Sequence, residues 1–176
     1  MRKLVFNIAL LLSLVLVSSG CGFFGGEEET EASPDDPMVI YENLMVLTFN
    51  ESNELLNDFN LSLDQLYAQE ITEQDFTRRA KEYIPRANEI STRLDEVMYD
   101  VDESMYDVHK SVIAVTNDQH QLMLDTVEMY HDENKNIDKR KLRERYVAIK
   151  ENQASILQEL KQTFREIGEA TMEEEG

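Results

Sequence analysis

Apolar side chains recur at every third or fourth position from Met38 onward, and this spacing predicts helices. The first apolar seam covers residues 38–68, with the polar Ser52 in one of its slots. Asp36 and Pro37 precede it, and an aspartate followed by a proline suits the cap and the first position of a helix. The apolar residues of this seam are Met45, Phe49, Leu56, Phe59, Leu63 and Leu66.

A second helix is predicted to begin after Thr72, because a hydroxyl residue with an acid three positions later, here Asp75, is a common helix start. Pro85 lies inside the second seam, where it removes one backbone hydrogen bond, so we expect a kink. The helix should continue beyond the proline because the seam stays in phase. Its members are Phe76, Ala80, Tyr83, Ala87, Ile90, Leu94, Val97 and Val101.

The seam then shifts by one position, and the acidic stretch 100–104 lies at the shift. Either this stretch connects two helices, or it is the solvent-facing part of one rod of about 60 residues and roughly 90 Å. We favour a connection, because it yields four helices of similar length that can close a bundle, although no Gly or Pro marks it. The shifted seam holds Met98, Val101, Met105, Val108, Val112, Val115, Leu122 and Met129, with Gln119 and Thr126 in two slots.

The polar stretch 131–136 is predicted to be a loop, and a last helix is predicted to begin near Asp138. We expect Gly168 to loosen the end of that helix before an acidic tail at 172–176. The pattern as a whole predicts an all-α fold, an antiparallel, coiled-coil-like bundle of three to four long helices at 38–171. The last seam consists of Leu142, Tyr146, Ile149, Ile156, Leu160, Phe164 and Ile167.

Glycine is scarce in the chain. Only six glycines occur in 176 residues, and none lies between Glu27 and Ile167. No position in that span can take a positive φ at low cost, which argues against tight hairpin turns.

Charge is unevenly distributed along the chain. The formal charge is −19 at pH 7, and loss of residues 1–20 would remove two basic residues and no acid. A surface this acidic repels nucleic acid and anionic lipid headgroups, so neither is expected to bind it. Residues 4–77 contain no Lys or Arg, whereas nine basic residues lie at 135–165. This favours a bundle whose first and last helices pack together, the alternative being uneven charge without pairing.

The N-terminus has the pattern of a cleaved secretory signal. Arg2 and Lys3 precede an apolar stretch at 4–17, and small residues follow at 18–20, directly before Cys21. The apolar stretch reaches only about 21 Å as a helix, short of the ~30 Å hydrocarbon core, which argues against a permanent transmembrane helix.

The residues Ser18-Ser19-Gly20-Cys21 resemble the lipobox of bacterial lipoproteins. In that class the chain is cut between Gly20 and Cys21, and the cysteine sulfur receives a diacylglycerol. Such signals usually have leucine where this chain has Ser18, and Ser18 with Gly20 also fits ordinary secretion. We favour lipidation because the only cysteine of the chain lies at the junction. The resemblance implies anchoring in the bilayer through Cys21, with 21–37 as a lipidated, flexible acidic linker.

Three histidines, His109, His120 and His131, are spaced by eleven residues and would share one face of a continuous helix. Successive ones are about 16.5 Å apart, too far to ligate one ion, so we expect an exposed stripe without function, or else a pH-responsive surface. Glu128 and His131 form one Glu-x-x-His, whereas di-iron bundles need two. No metal or other cofactor is predicted.

The methionines Met98, Met105, Met123 and Met129 could form a copper site together with the histidines. All of them except Met123 lie on a predicted seam, so we expect core packing instead.

No catalytic motif is present: the chain has no Gly-rich phosphate loop, no G-x-S-x-G and no H-E-x-x-H, and no enzyme activity is predicted. In signal, size and helix content it is similar to small helical lipoproteins of Gram-positive bacteria that are described as cell-wall-binding. The resemblance implies a non-catalytic interaction protein at the extracytoplasmic face of the cell membrane, with an envelope protein or the wall as partner. The alternatives are a metal-handling lipoprotein that uses the histidines and methionines or the acidic surface, and a self-associating helical scaffold.

Overall fold

The structure, a computed structural model, describes residues 36–98, 101–131 and 137–174, with side chains as far as residue 170. Four long helices make up nearly all of this part, which confirms the predicted all-α bundle. A short 3-10 turn at Glu103–Met105 leads into the third helix. The helices are α1 (Pro37–Tyr67), α2 (Glu73–Val97), α3 (Tyr106–His131) and α4 (Lys139–Glu174).

Side-chain pairs show that neighbouring helices run in opposite directions. Along α1 and α2 the contacts form a ladder with a seven-residue step, in which residue numbers rise on one helix and fall on the other. The same reversal relates α1 to α4, where Asn53 meets Lys150 and Asp64 meets Arg143. The rungs of the ladder are Glu51–Arg93, Asp58–Arg86 and Gln65–Arg79.

Helix α3 runs parallel to α1 across the bundle. Tyr41 of α1 contacts His109, and Ser52 contacts Gln119, so residue numbers rise together on the two helices. The result is an up-down-up-down four-helix bundle, in which α1 begins at the end where α4 finishes. The expected packing of the acidic first helix against the basic last helix is confirmed.

The predicted seams form the core. Every apolar residue of the first seam is buried, and so is Ser52. The buried face is wider than the seam, because each helix of a bundle contacts two neighbours, and Leu55 and Met123 are therefore fully buried as well. Met123, the one of the four candidate methionines outside the predicted seams, is thus core, whereas Met98 and Met129 are only half-buried.

Helices α2 and α3 are separate, as favoured from the sequence, and the single-rod alternative is wrong. Helix α2 ends at Val97, and the side chain of Asp102 accepts a hydrogen bond from the backbone N–H of Ser104 at 2.9 Å. An aspartate cap thus starts the next segment without help from Gly or Pro.

The predicted helix starts are confirmed. Asp36 Oδ1 accepts from the N–H of Met38 at 2.8 Å, and Thr72 Oγ1 accepts from the N–H of Asp75 at 3.1 Å. Asp138 caps α4 in the same way, through the N–H of Lys141 at 3.0 Å. Pro85 lies inside α2, which continues to Val97.

Two helix ends differ from the prediction. His131 belongs to α3 and not to the following loop, whose residues 132–136 lie outside the described part. Helix α4 passes through Gly168 and reaches Glu174, so most of the predicted acidic tail is helical. A glycine inside a helix costs only about 0.5–1 kcal/mol relative to alanine, which is too little to stop a helix of this length.

The end of α1 contains a non-glycine residue with positive φ, which the scarcity of glycine argued against. Gln69 has φ +59°. The N–H of Glu70 donates to the carbonyl of Gln65 at 2.9 Å, and the N–H of Gln69 donates to that of Leu66 at 3.3 Å. These two bonds form a Schellman motif, whose left-handed position is usually glycine. The bonds outweigh the strain of a side chain there.

Replacing Gln69 with glycine should therefore stabilise the protein. The left-handed conformation costs a residue with a Cβ about 1–2 kcal/mol, and part of that gain is lost to the freer unfolded chain, so we expect roughly 0.5–1 kcal/mol. Urea unfolding would measure it. Ala68→Gly is the matched control, because Ala68 has φ −72° and gains nothing from glycine; equal effects of the two substitutions would contradict the explanation.

Candidate functional site

The predicted anchor, Gly20 and Cys21, lies outside the described residues, so lipidation remains a prediction. Within the described ranges, no helix combines the length and apolar character needed to cross a bilayer.

The three histidines of α3 do not form the exposed stripe expected from their spacing. His109 is completely buried, His120 is half-buried and His131 is exposed. Each eleven-residue step rotates the side chain by about 20°, and two steps carry it from the edge of the core to the surface. The candidate Glu128 is exposed. Among the described residues, no group of three or more His, Cys, Asp or Glu is arranged to hold a metal ion.

His109 uses both ring nitrogens in hydrogen bonds that link three helices. Nε2 lies 3.0 Å from the carbonyl oxygen of Leu94 on α2, which can only accept, so Nε2 carries the proton. Nδ1 of the neutral ring is then an acceptor, and the hydroxyl of Tyr41 on α1 donates to it at 2.9 Å. The Tyr41 ring also lies against Phe164 of α4, with centroids 6.0 Å apart. All four helices therefore meet around this pair.

Burial favours the neutral form of both groups in the pair. It lowers the pKa of His109, although the bond to Leu94 and the charge of Asp95 on α2 oppose the shift. Burial also raises the pKa of Tyr41 above its ordinary value, so the phenol remains a hydrogen-bond donor. The pair stabilises the bundle in its neutral state. As a fully engaged group, His109 is not free to ligate a metal without breaking these bonds.

A second set of buried polar groups crosses the middle of the bundle. Ser52 of α1 donates to Oε1 of Gln119 on α3, and Nε2 of Gln119 donates back to the Ser52 carbonyl at 3.1 Å. Gln153 of α4 joins the layer by donating to Ser52 Oγ at 2.6 Å, while its own buried Oε1 has no hydrogen-bond partner among the described residues. The hydrogen bonds of this layer form in only one alignment of the helices, so the layer fixes the axial register of α1, α3 and α4. Gln153 was not predicted, although it occupies the seam slot between Ile149 and Ile156.

The outer face of α1 carries an exposed row of apolar and amide side chains, here called the outer stripe. Each member except Ile40 lies two positions before a buried residue of α1, about 200° away around the helix, whereas Glu42, two positions after Ile40, is half-buried. Ile40, Leu47 and Leu61 are 56%, 45% and 58% exposed. The full stripe is Ile40, Asn43, Leu47, Asn50, Glu54, Asn57 and Leu61. The seven-residue recurrence of the stripe is visible in the sequence. It was not predicted as a surface feature because the apolar core seam of the same helix is the stronger pattern.

Three of the acids beside the outer stripe pair with arginines from the neighbouring helices, whereas Glu42 has no such partner among the described residues. Glu51 and Asp58 pair with Arg93 and Arg86 of α2, and Asp64 pairs with Arg143 of α4. Glu54 is the only charged member of the stripe itself. In a chain with a formal charge of −19, this surface is close to neutral, and it is the strongest candidate for a contact with another protein.

Comparison with protein-family models, with curated proteins and with solved structures found no match to this chain.

Acidification should weaken the fold through His109. The pKa of this side chain is lower in the folded protein than its ordinary value of 6.5, so the unfolded chain binds the proton more tightly. The contribution of neutral His109 to the free energy of unfolding is fully present above pH 6.5. It declines as the pH falls through the pKa of His109 in the folded protein, by at most about 1.4 kcal/mol per pH unit. Unfolding in urea between pH 8 and pH 5 would measure the decline. His109→Gln keeps a donor for Leu94 but cannot titrate, and a slope equal to that of the wild type would contradict this assignment.

Replacing Ser52 with alanine should destabilise the bundle by about 1–3 kcal/mol, because Gln119 Oε1 and Gln153 Nε2 would lose their partner inside the core. The triple variant Ser52→Ala, Gln119→Leu, Gln153→Leu removes the whole set and should recover most of that loss. Thermal and urea unfolding of both variants would test this. If the triple variant lost more stability than the single one, the layer would contribute net stability and not only register.

Proposed function

We propose that this protein is a non-catalytic interaction module held at the outer face of a bacterial cell membrane by a lipid on Cys21. The observation that carries the proposal is the position of the only cysteine, directly after the small residues that end an apolar N-terminal stretch. A thiol there has no partner within the chain with which to form a disulfide. Lipidation gives it a role.

The structure supports this proposal through the helix nearest the anchor. Helix α1 begins at Pro37, and the residues between it and Cys21 could extend about 50 Å. The outer stripe therefore lies on the helix that follows the linker directly. A tethered bundle with a near-neutral apolar surface fits a protein that acts by contact with other envelope proteins, whereas the acidic surface elsewhere is unfavourable for anionic polymers.

Lipidation of Cys21 is the first prediction of this proposal. The N-terminal peptide of the protein from a membrane fraction should begin at Cys21 and carry the mass of a diacylglycerol, with or without a further acyl chain. Mass spectrometry would detect it, and an inhibitor of lipoprotein signal cleavage should abolish the mature form.

Cys21→Ser is the matched variant, and it should release the protein from the membrane fraction or block its cleavage. Ser19→Ala is the control, because a small residue is retained and processing should continue. An unmodified N-terminus in the wild type would remove the anchor, and with it the envelope function.

A further inference from the structure

We propose that the outer stripe is a self-association surface, on which α1 of a second copy packs in parallel and in register. The partner of the proposed function is thus a second copy of the chain. The inference rests on that function for one point: copies anchored in the same membrane present α1 in the same direction. The alignment of the two helices follows from the side chains of the stripe.

The spacing of the stripe is that of a helix-pairing surface. Ile40, Leu47 and Leu61 are separated by multiples of seven residues, with Glu54 in the remaining slot. Asn43, Asn50 and Asn57 follow the first three slots by three positions, and Asp64 follows the fourth, so the stripe has the a and d positions of three heptads. It spans about 32 Å along one side of α1. An exposed heptad surface of this length fits a second helix better than a flat or extended partner.

Charge selects the face on which a second copy can pack. Two copies of a chain with a formal charge of −19 repel one another through most of their surfaces. The stripe is the exception, because three of the acids at its margins are already paired with Arg86, Arg93 and Arg143. Two acidic molecules can therefore approach along this face at the lowest electrostatic cost.

The identity of the side chains argues for parallel, in-register packing. In a parallel pair each a position meets its own counterpart, and so does each d position. Leucine then contacts leucine, and each asparagine amide meets another amide, which both donates and accepts. In an antiparallel pair a positions would face d positions, which would place Leu47 against an asparagine. The one like-charge contact between stripe members in the parallel arrangement is Glu54 with its counterpart, and the asparagine pairs fix the register at some cost in stability.

Cysteine cross-linking in membranes of cells that express the full chain would test the pairing. Asn43→Cys, Asn50→Cys and Asn57→Cys should each give a disulfide-linked dimer on mild oxidation, at least about fivefold more than a cysteine elsewhere, because paired residues have a high effective concentration. Asn88→Cys on α2 and Asn117→Cys on α3 are the matched controls, since both asparagines are exposed on other faces. The wild type gives the background from Cys21.

Efficient cross-linking at all three stripe positions, with little at the controls, would support the proposal. Cross-linking at Asn50 alone would overturn the in-register arrangement, and equal cross-linking at stripe and control positions would overturn the surface. The mass of the N-terminal peptide, measured on the same membranes, separates a failure of self-association from a failure of anchoring.

Substitution of Glu54 provides a test in which self-association is expected to become stronger. Glu54→Gln removes the repulsion between the paired carboxylates and should tighten self-association about two- to fivefold, measured by sedimentation of the full chain in detergent. Glu96→Gln, on the exposed face of α2, is the control and should leave it unchanged. No change with Glu54→Gln would overturn the parallel contact at this position.

Discussion

Helix α1 carries carboxylates and no basic residue, and the helices on either side of it supply the arginines that pair with most of these acids. A single exposed ion pair contributes only about 0.2–1 kcal/mol, so these pairs do not hold the bundle together. The ion pairs matter because their positions determine how the helices align. The contacts between α1 and α2 recur at every seventh residue, and a shift of one turn would break all of them together. Burial of the apolar seams provides the stability, and the charges select one alignment.

The interior uses hydrogen bonds for the same purpose. A bundle core made only of aliphatic side chains tolerates sliding of one helix along another, because one leucine packs much like the next. The layer formed by Ser52, Gln119 and Gln153 does not, because its donors and acceptors match in one alignment only. The pair Tyr41–His109 acts similarly near the start of α1, and it makes that end sensitive to protonation.

The sequence predicted the fold well because apolar spacing determines which face of each helix is buried, and the caps at Asp36, Thr72 and Asp138 mark where helices begin. The residues at which the helices end were harder to predict. Gln69 shows that hydrogen bonds at a helix terminus can impose a left-handed residue without glycine, and Gly168 shows that glycine need not end a helix.

Of the candidate site residues, Cys21 and Gly20 fall outside the described part, so the anchor depends on the sequence alone. The burial of His109 could not be predicted from its spacing, because the local pattern places it at the margin of the seam. Only its partners on α1 and α2 show that it belongs to the core. Gln153 was missed for a different reason: it occupies a slot of the last seam just as Ser52 and Gln119 occupy slots of theirs, and the same spacing could have identified it.

The order of the helices has a mechanical consequence. Helix α1 is the first of the described helices, and it also carries the outer stripe. Tension applied between the N-terminal side of the chain and anything attached to that stripe would run along the axis of one helix. The other three would bear little of the load, because the force would pass through the backbone hydrogen bonds of α1 between its first turn and the stripe. Such a geometry would leave the packing of α2, α3 and α4 against one another undisturbed by a pull on the stripe.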